Sequence, residues 1–334
     1  VRRKNELKLQ LQTGAIGFKM AFPKKQKKKK KHRNPVMDWL GYAAMRIALF
    51  ILFLFPVRWC LRFGCFLGNL MWKHYHRGRK RAMDNLRASF PDKDEVWLAE
   101  TGRKSFQHIV MLTIDLMFSP RLVRKDNWRG YARAINFERP KWLMQEGKGV
   151  LMLTGHYGNF EIMGFVLGLF GFNVYSIARP LDNPFINKYL YGIREKHGQK
   201  IIDKKGAADQ MADLAEEGAT LCFIADQDAG KKGVFVDFFG RKASSYKSIG
   251  LLALQYNMPI VVAACRQTPG EFFFEAEISR VIMPDEWAEK DSPLQWITQE
   301  YNTELEQLIC KDPSQYWWLH RRWKTRPKEE RKQS

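Results

Sequence analysis

Apolar positions along this chain follow two periods. Between Asp94 and Phe118, the spacing of Val96, Trp97, Ala99, Phe106, Ile109, Val110, Leu112 and Ile114 predicts a helix. Beyond it, short β-favouring runs alternate with helical ones. Strands are predicted at Tyr131–Ile135, Val150–Thr154, Asn173–Ala178, Lys200–Ile202, Thr220–Ala225 and Ile260–Arg266, and Phe272–Ile278 pairs back as a hairpin strand. Helices are predicted at Pro140–Gln145, 160–170, Pro184–His197, Ala207–Glu216, Ser245–Tyr256 and Trp296–Ile309. This alternation predicts an α/β fold: a mixed, largely parallel sheet flanked by helices. In such sheets ligands sit at the carboxyl ends of strands, where His156, Arg179 and Asp226 all fall.

A different pattern occupies Trp39 to Val57, 19 residues of nearly unbroken apolar character with one charge, Arg46. This is near the lower limit for crossing a bilayer. Cations stand on both sides, from Lys24 to Arg33 and from Arg58 to Arg81. A spanning helix shows that bias on one side only. The pattern favours an N-terminal membrane-anchoring helix embedded from one side, its basic flanks on an anionic membrane surface. A single span and a buried soluble helix are the alternatives. A cleaved signal peptide is not expected, since no small-residue cleavage site follows the segment.

Charge sharpens this division. The 334 residues carry a net charge of +21, yet the cations concentrate in three blocks: 1–34, 58–81 and 320–334. The remainder is close to neutral, which argues against a nucleic-acid enzyme with cations spread over a binding face. Residues 1–34 hold too little apolar material to fold and are expected to be disordered; the chain opens on Val1, and Met20 and Met37 are candidate starts. The expected organisation is a basic tail at 1–34, an anchor and basic linker at 35–90, a catalytic domain at 91–327 and a tail at 328–334. The cysteines Cys60, Cys65, Cys222, Cys265 and Cys310 show no metal-like spacing, so neither a zinc site nor a disulfide framework is expected.

Candidate chemistry centres on Gly155-His156-Tyr157-Gly158-Asn159-Phe160-Glu161. Gly158 gives the turn freedom, and Asn159 suits the N-cap of the following helix. Five residues along one helix would put His156 and Glu161 about 140° apart. With His156 in the loop and Glu161 in the first helical turn, the two side chains can meet. A carboxylate on one imidazole nitrogen leaves the other free to take a proton from a hydroxyl, the chemistry of moving an acyl group onto an alcohol. The same residues also suit a capping or buried structural histidine. No serine or cysteine lies in a nucleophile context, so no covalent acyl-enzyme is expected. Backbone N–H groups near Asn159, with Arg179, are the expected oxyanion donors.

Other stretches add candidates. Arg179 suits a phosphate or carboxylate through its planar fork, or else caps a helix or pairs with Asp182. Asp226, Gln227 and Asp228 follow an apolar strand, where Asp226 would orient a substrate or a basic side chain; two aspartates without a third ligand make a poor metal site. Gly230 to Gly240 reads as a strand or as a wall of an acyl-chain channel. Tyr316 to Pro327 mixes aromatics with Arg321, Arg322, Lys324 and Arg326. It suits a membrane interface with headgroup phosphates, or a stacking platform for single-stranded nucleic acid.

Together these blocks, in this order over roughly residues 38–327, resemble the lipid A late acyltransferases of the lysophospholipid acyltransferase superfamily. The similarity is carried by the N-terminal anchor, by His156 to Glu161, by Arg179-Pro-Leu-Asp-Asn-Pro and by Ala225-Asp-Gln-Asp with Phe235-Val-Asp-Phe-Phe-Gly240. Trp318-Leu-His-Arg-Arg-Trp-Lys-Thr-Arg326-Pro completes it. The resemblance implies a glycerolipid-acyltransferase-like fold and transfer of a fatty acyl group to a hydroxyl of a lipid A precursor. It implies acyl carrier protein as favoured donor, a coenzyme A thioester as the other candidate co-substrate, and no cofactor or metal. The expected location is the cytoplasmic face of an inner membrane, with lipid substrate and anionic membrane as partners and no nucleic acid. By position, His156 would be the base and Glu161 its partner. Substrate contacts would come from Arg179, Asp226, Gln227, Asp228, Asn159 and Gly158, and membrane or phosphate contacts from Arg321, Arg322, Lys324 and Arg326. The polylysine tail and Asp237 depart from the pattern, and two alternatives stay open: an acyltransferase acting on another phospholipid, glycolipid or aminolipid acceptor, and a non-catalytic polybasic membrane- or nucleic-acid-binding protein.

Overall fold

The computed structural model describes residues 34–169, 171–178, 180–196, 198–203 and 207–330. The expected basic tail, apart from Asn34, and Arg179 lie outside these residues.

The described residues form nine strands: β1 (Ala132–Ile135), β2 (Leu151–Thr154), β3 (Val174–Ala178), β4 (Lys200–Asp203), β5 (Thr220–Ile224), β6 (Val234–Phe238), β7 (Arg241–Ser245), β8 (Ile260–Gln267) and β9 (Phe274–Ile282). Seven form one sheet in the order β1-β9-β8-β2-β5-β3-β4, with β6 and β7 as a separate antiparallel pair. Within the sheet only β8–β9 is antiparallel, which matches the mixed, largely parallel prediction. Central strands are continuous apolar runs because both faces are covered: every residue of β2 is buried, and β8 is buried apart from Arg266. Leaving β2, the chain crosses to β3 and later returns to place β5 beside it, while β8 takes its other flank. That reversal of direction opens a crevice at the carboxyl ends of β2 and β5.

Helices cover the sheet: α5 (Glu138–Gln145), α6 (Phe160–Leu169), α7 (Pro184–Glu195), α8 (Ala207–Glu216), α9 (Lys247–Tyr256), α10 (Pro284–Ala288) and α11 (Pro293–Lys311). Ahead of them stand α1 (Pro35–Phe53), α2 (Val57–His74), α3 (His76–Ser89) and α4 (Glu95–Leu122). The apolar segment predicted at 39–57 is therefore α1, and the chain breaks at Pro56 before α2. The expected basic linker is two helices. Gly64 and Gly68 let α2 lie close on α4; a Cβ at Gly68 would stand 2.4 Å from the Gln107 Cα. Among the described helices α1 alone is long and apolar enough to cross a membrane.

Two expectations for the later blocks change. The 233–240 stretch forms β6, whose hairpin packs on α11 through Gln299, which accepts from the Asp237 N–H and donates to its carbonyl. The channel-wall reading of this stretch is not met, because the cleft described below is lined from other elements. In the C-terminal block, Tyr316, Trp318 and Trp323 are core residues at 1%, 0% and 9% exposure, so they form neither a membrane girdle nor a stacking platform.

Candidate active site

His156 follows β2 and Asp226 follows β5. The last paired residues of these neighbouring parallel strands are Thr154 and Ile224, and both side chains stand two positions beyond them. A further ladder bond, Ala225 N–H to the Thr154 carbonyl at 2.8 Å, carries the register onward. The Asp226 carboxylate thus reaches His156 from 70 residues away. Its Oδ2 accepts the His156 backbone N–H at 2.9 Å and its Oδ1 stands 2.8 Å from Nδ1.

Burial alone would raise the Asp226 carboxyl, but the His156 imidazole and its hydrogen bonds overcome this and hold it below the usual carboxylate range. An ionised carboxylate only accepts, so the ring proton of neutral His156 sits on Nδ1 and Nε2 carries the lone pair. Nε2 faces the Gln227 side-chain nitrogen at 3.4 Å.

The ring of His156 is further enclosed by Phe160, Trp317 and His320, at centroid distances of 5.4, 4.9 and 4.3 Å. Trp317 donates its backbone N–H to the His156 carbonyl at 3.1 Å, and Gly158 donates its N–H to the Gln315 carbonyl at 3.1 Å, so the C-terminal segment runs alongside the histidine loop. α3 holds this segment in turn: Asn85 donates to the carbonyls of Trp318 and His320, and Arg81 to that of Leu319. His320 is pushed down to about 4 by burial and by the neighbouring His156, so it is neutral near pH 7.

The loop itself is built by Gly158 and Asn159. Gly158 has φ of 57°, and a Cβ there would stand 2.2 Å from the Cys265 carbonyl oxygen. Asn159 caps α6 as predicted, accepting the Ile162 N–H at 3.1 Å. Its Nδ2 donates to Asp115 on α4, and its N–H is taken by the Cys265 carbonyl. Burial raises the Asp115 carboxyl well above its ordinary value. Asn159 is fully buried, and Gly158 has its N–H on Gln315 and its carbonyl on His108, so both shape the loop. Their N–H groups are likewise spent and leave no oxyanion donor at these two positions.

Glu161 does not meet His156 as the spacing predicted. In the first turn of α6 it pairs with Arg194 of α7, the guanidinium Nε donating to Oε2 at 2.8 Å and Nη2 to Oε1. Both side chains are mostly buried, at 10% and 20% exposure. A guanidinium fork satisfies both carboxylate oxygens at once, which a single imidazole nitrogen cannot do. The carboxylate on His156 is Asp226.

A cleft of 340 Å³ opens at His156 and Gln227 and runs between β3, β5, α7, α8 and α9, with Leu181, Leu190, Met211 and Ile249 among its apolar walls. A smaller cavity of 80 Å³ continues between the sheet and α6 as far as Ser176, Gln199 and Cys222. Phe160, Glu161, Arg194 and Phe223 line both. An apolar trough with a few polar groups at one end suits a fatty chain.

Remaining candidates separate. Asp228 accepts Thr325 Oγ1 at 2.9 Å and ties the C-terminal segment down. Arg322, expected at a phosphate or membrane, is 1% exposed. Its fork donates to the carbonyls of Gln227 and Ser244, to Ser245 Oγ and to Asn302 Oδ1, bracing the loop after β5. Arg326 pairs with Glu330, while Arg321 and Lys324 are exposed. His156, Asp226 and His320 bring ligand atoms within 4.8 Å of one another, but both Asp226 oxygens already hold His156, which favours proton chemistry there over a metal. Arg194, Trp317 and His320 were not singled out by sequence. The last two lay inside the aromatic and basic block whose burial its composition hides.

The model of the family described as "Bacterial lipid A biosynthesis acyltransferase" matches residues 23–325. The chain is 26% identical over 305 residues to the lipid A biosynthesis lauroyltransferase of Escherichia coli (strain K12), covering 89% of this chain and 94% of the relative. It is 29% identical over 308 residues to a lipid A biosynthesis acyltransferase of Haemophilus influenzae, covering 87% and 91%. Against the lipid A biosynthesis myristoyltransferase of Escherichia coli (strain K12), identity is 24% over 301 residues, covering 86% and 87%.

Proposed function

Since the chain belongs to the bacterial lipid A biosynthesis acyltransferase family, we propose that it moves a fatty acyl group from acyl carrier protein to a hydroxyl of a lipid A precursor, with His156 as general base. The observation that carries this is the Asp226–His156 pair, which fixes the proton on Nδ1 and turns Nε2 toward an apolar cleft. Nε2 takes the acceptor hydroxyl proton as the oxygen attacks the thioester carbonyl. The C–O bond forms, and the carbonyl π pair moves onto oxygen. The oxyanion then collapses, the C–S bond breaks, and the imidazolium returns its proton to the leaving thiolate. Asp226 stays ionised and steadies the imidazolium while it exists.

Gln227, whose side-chain nitrogen stands 3.4 Å from Nε2, is one proposed donor to the oxyanion, and Arg179 is the second. The acyl chain lies in the apolar cleft, with the Glu161–Arg194 pair at the mouth of the deeper cavity. Arg321 and Lys324, both exposed, serve the acidic carrier protein or lipid phosphates. The site of action is the cytoplasmic face of the inner membrane, where carrier-protein thioesters and a membrane-held acceptor meet.

Carrier-protein thioester consumption in the presence of a tetra-acylated lipid A precursor tests the reading. We expect His156→Ala to lose most turnover with its fold intact. Full turnover in that variant would contradict the mechanism.

A further inference from the structure

α1 and α2 leave one continuous apolar stretch facing away from the protein. Along α2, Trp59, Phe63, Phe66 and Leu70 are 61%, 49%, 59% and 45% exposed, and at 100° per residue they share an arc of about 60°. The opposite face, with Cys60, Leu61, Gly64 and Gly68, is buried. The turn between the helices adds Leu54 and Phe55, and α1 extends the stretch through Phe50 and Ile51. Exposed Arg58, Arg62 and Lys73 follow one edge of the α2 stripe.

The other side of α1 touches the catalytic domain at points from Asp38 to Phe53, with Asp38 and Leu49 buried. Near its start, Asn183 Nδ2, just ahead of α7, donates to the Asp38 carbonyl at 2.8 Å. The Tyr42 ring lies 6.1 Å from Phe185 and 6.2 Å from Tyr189. Leu49 clusters with Met117 and Ile193, and the Phe53 ring meets Phe118 at 5.0 Å. From Asp38 to Phe53 this seam runs about 23 Å. Arg46 lies on the seam, its guanidinium 4.9 Å from the Tyr189 ring and donating to Tyr42 Oη at 2.8 Å. A groove along the seam also holds Arg121, Lys188 and Lys196. A helix fastened this way cannot cross a bilayer alone. It would carry α7 and these cations into hydrocarbon, where ionised side chains are expensive.

We infer that α1 and α2 form a single-leaflet docking surface for an anionic bilayer, with α1 lying on the membrane rather than through it. The apolar stripe sits at the depth of the acyl chains, and the cations along its edge meet headgroup phosphates. A helix that does not cross has no reason to carry its cations on one flank only, and both sequence flanks of α1, Lys24 to Arg33 and Arg58 to Arg81, are basic. This surface goes beyond the proposed reaction and does not depend on which lipid is acylated.

Two labelling measurements on the full chain in vesicles of phosphatidylglycerol and phosphatidylethanolamine test it. In the first, Lys31→Cys is treated with a membrane-impermeant maleimide, with the exposed Cys310 reporting the side of the catalytic domain. Residues 31 and 310 are expected to label from the same side. Labelling of residue 31 only after the vesicles are opened would establish a span and overturn the inference. In the second, Phe66→Cys carries a polarity-sensitive dye, and its emission is expected to shift to the blue on these vesicles and less on neutral phosphatidylcholine. No shift on vesicles, or an equal shift that follows protein concentration without them, would overturn it, the latter assigning the face to a second copy of the chain.

Discussion

His156 and Asp226 occupy matching positions beyond the ends of two adjacent parallel strands, and one carboxylate holds both the backbone and the ring of the histidine. The sheet register alone sets this pairing, so tautomer and orientation are fixed before any substrate arrives. Asp226→Asn keeps the shape but removes the charge that steadies the imidazolium. Turnover should fall by about a hundredfold or more with the melting temperature little changed. Steady-state rates beside thermal melts check it, and a fall of less than threefold would detach Asp226 from the mechanism.

The Glu161–Arg194 pair predicts a different signature for Glu161. Removing one member strands the other in a mostly buried place, at a cost of about 3 kcal/mol. Glu161→Gln and Arg194→Gln should each destabilise, and the double variant should be less destabilised than the sum of the two. A double-mutant cycle by denaturant unfolding reads this coupling. Additive effects would mean the pair is not formed.

Arg322 is a brace in the core. Lysine there keeps the charge but cannot reproduce the four-way fork to Gln227, Ser244, Ser245 and Asn302. Arg322→Lys should cost about 3 kcal/mol of stability, whereas Arg321→Ser and Lys324→Ser, both at exposed positions, should leave the melting temperature nearly unchanged. Thermal melts of the three variants separate the brace from the surface.

His320 gives a pH dependence whose sign follows from its depressed value. Unfolded, it binds a proton near pH 6.5; folded, only near 4. Between these limits the unfolded state holds more protons, so its contribution to stability is complete above about 6.5 and is lost as the pH falls toward 4, by about 3 kcal/mol at most. Buried His108 is depressed in the same sense and adds to the slope. His320→Gln should therefore flatten, without abolishing, the decline in melting temperature below pH 6.5. An unchanged slope would contradict the neutral, buried state assigned to this ring.

The layout was legible in the sequence wherever burial follows local pattern. The all-apolar runs of β2 and β8, the hairpin return of β9 and the Asn159 cap all follow from neighbours along the chain. Relations made in three dimensions were not. The spacing of Glu161 from His156 drew attention to a local carboxylate, while the one that reaches the ring comes from β5, 70 residues on. Asp226 is nevertheless legible as fit to orient a substrate or a basic side chain, because polar groups just past an apolar strand are costly unless they face a cleft. Arg322 and the Trp318 block misled in the opposite direction. Arginine and tryptophan beside lysine look like a surface, and nothing local reveals that Ser244, Ser245 and Asn302 are waiting inside.

Acyl transfer itself is tested most directly by the mass of the lipid product. Purified protein is incubated with acyl carrier protein loaded with mixed chains and a tetra-acylated, sugar-capped lipid A precursor, beside His156→Ala. The account predicts a gain of one acyl mass in the lipid, absent in the variant, and the size of that gain identifies the chain. Neither transfer nor His156-dependent thioester hydrolysis, in well-folded protein offered both carrier-protein and coenzyme A donors, would contradict it.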